Sequence, residues 1–156
     1  MDRLLMNQLV KWKEKKHRKP LIIHGARQVG KTWLMKEFGK RYFKHVAYIN
    51  FDNNEQAKNI FELDFDVSRI ISSLKIASGT DIRAEDTLII FDEIQEAPKV
   101  MASLKYFCEN APEYFIIAAG SLLGMALHKG TSFPVGRVEF LNLFPMTFWE
   151  YLLAIR

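Results

Sequence analysis

Gly25-Ala26-Arg27-Gln28-Val29-Gly30-Lys31-Thr32 spells G-x-x-x-x-G-K-T, a spacing that suits the holding of nucleotide phosphates. In such a loop a run of backbone N–H groups wraps the phosphates, and the helix that follows points the positive end of its dipole at them. Gly25 and Gly30 are expected to supply left-handed backbone and to let the phosphates come close. Lys31 is a point charge for the β- and γ-phosphates, and the Thr32 hydroxyl is a ligand for Mg²⁺. The candidate nucleotide-binding stretch runs from Gly25 through Ala26, Arg27, Gln28, Val29, Gly30, Lys31 and Thr32 to Trp33. Arg27 and Gln28 lie inside the loop with side chains free to point outward, toward a base, a partner or solvent.

A second cluster complements the first. Leu88-Ile89-Ile90-Phe91-Asp92-Glu93 is an apolar run closed by two acids, the Walker B pattern. A buried strand aims its terminal carboxylate at the open end of a sheet, where ligands bind in α/β folds. Asp92 is the expected metal ligand, and Glu93 the group that orients or deprotonates an attacking water. Ser121, after Gly120 at the end of another apolar run, is a candidate sensor of the γ-phosphate. Arg137, after Gly136, is a candidate for stabilising charge on the transferring group, in its own site or in a neighbour's. Asp52 reads first as a turn residue. His17, His24, His45, His128 and Cys108 have no metal-ligand spacing.

These groups need a scaffold that brings loop ends together. Leu21-Ile22-Ile23-His24 reads as a buried strand opened by Pro20, and Leu34, Met35 and Phe38 recur at helical spacing after the loop, with Gly39 as an end or interruption. Strands are expected over 46–51, 88–91 and 115–119, with a fifth over 138–143. Helical material is expected from about Gln56 to Ser78, closed near Gly79, and again after Pro98. Alternating strand and helix signals indicate a parallel sheet flanked by helices.

The 156 residues suit one domain spanning 1–156. Hydrophobic residues at 49% and charged residues at 26% are ordinary for a globular chain. No apolar stretch reaches the roughly 18 residues of a membrane span, and the N-terminus lacks a signal-peptide core. The single cysteine, Cys108, has no intramolecular partner, which points to a reducing, cytoplasmic setting. Residues 1–19 hold seven Lys or Arg against two acids. They read as an amphipathic helix docked through Leu5, Leu9 and Trp12, its lysines solvated, rather than as a nucleic-acid arm. Thr147-Phe148-Trp149-Glu150 has capping-box form. A helix is expected to begin there and to run to the last residue, as in a fragment of a longer protein.

With these segments in place, the chain resembles the N-terminal ATPase domain of a prokaryotic AAA-type family. The matching segments are residues 21–32, Tyr48-Ile49-Asn50-Phe51, residues 88–95, Ala119-Gly120-Ser121, Gly136-Arg137 and residues 143–148. The Gly-Ala-Arg-Gln-Val-Gly-Lys-Thr wording and the Pro-Met-Thr-Phe tail are narrower than the Walker patterns. The resemblance implies a three-layer P-loop NTPase core of the AAA/RecA-like kind, with a parallel five-stranded sheet flanked by helices. It implies Mg²⁺-dependent binding of ATP and its hydrolysis, driving a conformational change in a C-terminal domain that would be absent here, or in a protein or nucleic-acid partner. A homo-oligomer fits such a domain. The alternative is a nucleotide-dependent switch with little hydrolysis. A small-molecule kinase is disfavoured by the water-activating acid at Glu93, and a GTPase by the lack of Asn-Lys-x-Asp.

Overall fold

The computed structural model describes residues 4–26, 29–121, 136–144, 149, 152 and 153. Five strands, β1 (Leu21–Gly25), β2 (His45–Asn50), β3 (Thr87–Asp92), β4 (Phe115–Ser121) and β5 (Glu139–Asn142), form one sheet in the order β2-β3-β4-β1-β5. Every pairing is parallel. A parallel sheet needs a crossover between neighbours and covers both its faces, which is why the strands read as near-continuous apolar runs. All six residues of β3 are buried.

The period-2 pleat sorts the strand residues between two cores. On one face Ile22, Ile49, Ile89, Phe91 and Ile116 pack with α4 (Val67–Ser78) and α5 (Pro98–Asn110). On the other, Leu21, Ile23, Leu88, Ile90 and Ile117 pack with α1 (Leu5–Glu14) and α2 (Lys31–Tyr42). The result is the expected three-layer α/β sandwich.

Helix α1 occupies part of the expected 1–19 segment. Met6, Leu9 and Trp12 are its buried face, and Leu5 is only half-buried. Trp12 Nε1 donates to the Lys19 carbonyl at 2.8 Å. The basic stretch is partly structural. Arg18 lies 3.6 Å over the Phe115 ring and donates to the Glu113 carbonyl at 3.2 Å, and Lys15 pairs with Glu139.

The segment expected to be helical from about Gln56 to Ser78 is two helices, α3 (Glu55–Ile60) and α4. Phe61 leaves the helical path to bury itself against Phe51 and Phe91, with ring centroids at 5.8 and 5.7 Å. Asn54 caps α3 through Ala57 N–H, and Asp66 caps α4 through Ser68 N–H. Arg69 closes the loop between them by donating to the Ile60 carbonyl at 2.6 Å. Gly79, at φ 67°, ends α4. Trp149, Leu152 and Leu153 are helical; Thr147 and Glu150 of the capping box lie outside the described residues.

Gly39 neither ends nor interrupts α2. It is buried one turn before the helix end, where a Cβ would stand 2.5 Å from Val46 Cγ2 and 3.2 Å from Leu88 Cδ2. Glycine here lets α2 lie close on β2 and β3. Alanine normally gains about 1 kcal/mol over glycine in a helix, but the overpacking should win. Gly39→Ala is expected to lower the unfolding free energy by about 1–3 kcal/mol, measured by urea denaturation; a stabilised variant would contradict the close packing.

Candidate nucleotide site

The parallel arrangement puts the carboxyl ends of β1, β3 and β4 at one edge of the sheet. There β1 runs into the glycine loop, β3 ends at Asp92 and β4 ends at Ser121. Asp92 shares the pleat parity of Leu88 and Ile90, so it faces the layer that contains α2. Thr32 lies in the first turn of α2. Its Oγ1 donates to Asp92 Oδ2 at 2.5 Å. Tyr48, on the same face of β2, donates its hydroxyl to the same oxygen at 2.7 Å, and the Glu93 amide donates to Oδ1 at 2.9 Å. Asp92 is 2% exposed, and three donors offset the cost of burying its carboxylate. The Tyr48 phenol is held above its ordinary pKa, first by burial and then by its hydrogen bond to Asp92.

The two glycines of the octet serve for different reasons. Gly30 adopts φ 93° and ψ 22°, a left-handed conformation that suits glycine. Gly25 has no positive φ. It is needed because the Leu143 carbonyl oxygen sits where its Cβ would be, a close approach set by pairing of β5 with β1 and by the Leu143 amide bonding the His24 carbonyl at 2.9 Å. The first turn of α2 begins at Gly30, whose place at the cap supplies no side-chain bond. Lys31 is buried, and its Nζ donates to the Gly25 and Ala26 carbonyls at 3.0 and 2.7 Å.

Gly30, Lys31, Thr32, Trp33, Asp52, Glu93 and Glu96 line a cavity of about 320 Å³. Glu93 stands in it with φ 57° and ψ 46°, a left-handed backbone that costs a non-glycine residue roughly 1–2 kcal/mol. Strain of this kind concentrates at functional positions. Asp52 is a turn residue, its amide bonded to Asn50 Oδ1 at 2.9 Å, and it also borders the cavity. Ala26 follows β1 directly and Val29 is buried in the α2-side core. Arg27 and Gln28 lie outside the described residues.

Ser121 reaches the same edge by another route. Its amide donates at 3.3 Å to Gln95 Oε1, and Gln95 Nε2 donates to Glu93 Oε2. Arg137 is not brought to this cavity. It precedes β5 at the amino edge of the sheet, where its Nε pairs with Glu109 at 2.8 Å. The run of β5 separates it from the glycine loop by roughly 16 Å at about 3.3 Å per residue. Of the two places expected for Arg137, its own chain's site or a neighbour's, the parallel register sets its end of β5 opposite the loops of its own chain.

Two residues at the site had not stood out in the sequence, Tyr48 and Gln95. Tyr48 sits in a run that reads as strand and belongs to the family resemblance, with no role of its own given by either. Gln95 follows Asp92-Glu93, and a polar residue just after the acids was the available signal.

The donor set suits a nucleotide with a hard divalent cation. A hydroxyl and a carboxylate meet at Thr32 and Asp92 beside a lysine, and such oxygen ligands suit Mg²⁺. Among the described residues no three His, Cys, Asp or Glu are grouped to hold a metal. The fold and this site define a P-loop nucleotide-binding α/β domain. A family model described as an AAA domain matches residues 17–152, and the chain belongs to that family. No curated protein matches it. Among the described residues no helix is long and apolar enough to cross a membrane.

Tyr48→Phe removes one of the donors to Asp92 and little volume. It should lower the unfolding free energy of the nucleotide-free protein by about 1–2 kcal/mol, read from a denaturant midpoint shift. An unchanged midpoint would show that the hydroxyl contributes no net stability there.

Proposed function

We propose that this domain binds ATP with Mg²⁺ and hydrolyses the β–γ phosphoanhydride bond. The observation that carries the reading is the meeting of Thr32 and Asp92 at 2.5 Å beside Lys31, with Glu93 lining the same cavity. Lys31 and the leading N–H groups of α2 would hold the phosphates, and Thr32 and Asp92 would hold the metal. Bound Mg²⁺ supplies charge neutralisation on the phosphate oxygens. Glu93 would accept a proton from an attacking water, or orient it. Trp33, on the cavity wall, would limit the entry of bulk water.

In this reading the cycle moves a C-terminal domain or a partner. A part for Arg137 in the chemistry would be played toward a neighbouring copy of the chain, because its own cavity is at the other edge of the sheet.

Glu93→Gln removes the carboxylate and keeps the size. Turnover should fall about a hundredfold or more, while ATP affinity by calorimetry stays within about threefold. Unchanged turnover in the variant would remove Glu93 from the mechanism. Tight ATP binding with no turnover by the unsubstituted chain would favour the switch reading.

A further inference from the structure

We propose that Gln95 is a positioning residue for Glu93, and that its amide ties the Glu93 carboxylate to the end of β4. The proposal rests on the reading of Glu93 as the group that acts on water.

Gln95 is 4% exposed and both ends of its amide are used. Oε1 accepts from the Ser121 amide at 3.3 Å, so Nε2 is turned the other way, toward Glu93 Oε2, to which it donates. The polarity is matched at each junction. A backbone N–H can only donate and an ionised carboxylate can only accept, and an amide answers both from two separate atoms. A methionine or leucine of similar size would answer neither, and a glutamate would set two carboxylates against each other.

Two further features hold the bridge. Glu93 is in left-handed backbone, and Ile94–Glu96 forms a 3₁₀ turn, with the Glu96 amide bonding back to the Glu93 carbonyl at 3.1 Å. This turn folds Gln95 back against the end of β4. On the β4 side Gly120 makes room for it. A Cβ there would stand 2.7 Å from Gln95 Oε1 and 3.1 Å from Ile94 Cγ1. The end of β4, the 3₁₀ turn and the cavity acid are thus joined through one buried amide. A displacement of Ser121 would pull on Gln95 and change how the Glu93 carboxylate is presented to the cavity.

The test uses Gln95→Met alone and combined with Glu93→Gln. Alone, it should lower turnover about ten- to a hundredfold, the scale of a slightly misplaced catalytic group, while the Kd for ATP with Mg²⁺ stays within about threefold. In the Glu93→Gln background it should cost less than about twofold more, because residues that act as a unit are non-additive. Equal losses in both backgrounds would overturn the proposal. Full turnover by Glu93→Gln alone would instead overturn the reading it rests on. A second readout needs no turnover. In ¹⁵N spectra of the nucleotide-free protein, Glu93→Ala should shift both the Gln95 side-chain NH₂ and the Ser121 backbone amide. A Ser121 resonance that stays in place while the Gln95 resonances move would break the link and overturn the coupling, whether or not the chain turns over ATP.

Discussion

The hydrogen bond from Thr32 to Asp92 is the constraint on which the rest of the site depends. It joins the first turn of α2 to the last residue of β3 at 2.5 Å, across β4, which lies between β1 and β3 in the sheet. For the two groups to meet, β1 and β3 must run parallel with their carboxyl ends level. The α2 helix must also cover the sheet face that Asp92 shares with Leu88 and Ile90. Gly39 permits that packing by allowing α2 to approach Val46 and Leu88. The glycine loop, the helix start and the acid are then consequences of one geometry.

Burying Asp92 carries an electrostatic cost that three donors offset. Thr32 and Tyr48 share Oδ2, and the Glu93 amide takes Oδ1. The carboxylate is thereby fixed in orientation. Glu93 is treated differently. Its backbone is strained and its carboxylate is held by a side-chain amide instead of by the strand. Asp92 is built into the sheet, and Glu93 is attached through a turn.

Much of this was legible in the sequence, and the omissions have physical causes. The octet, Asp92 and Glu93 are contiguous motifs whose spacing carries their chemistry. The strands are apolar runs bounded by breakers, and each lies within about two residues of its expected position. The break between α3 and α4 was hidden because Phe61 continues a helical apolar pattern; only its pairing with Phe51 and Phe91 pulls it out of the helix. Tyr48 and Gln95 were hidden because their partners are distant in the chain, and register across a sheet cannot be read from one strand. The choice left open for Arg137, its own site or a neighbour's, could not be read from the sequence for the same reason. Its sequence neighbourhood matched a pattern, but the parallel register puts the start of β5 at the far edge. At Gly25 the expected positive φ is absent, and crowding by Leu143 is what a side chain there would meet.

The most direct measurement is a calorimetric titration of the chain with ATP, with and without Mg²⁺, alongside Lys31→Ala. The account predicts ATP binding that is strengthened by Mg²⁺ and abolished in Lys31→Ala. Binding of equal strength in Lys31→Ala, or no ATP binding by the unsubstituted chain in the presence of Mg²⁺, would contradict the assignment of this cavity as the nucleotide site.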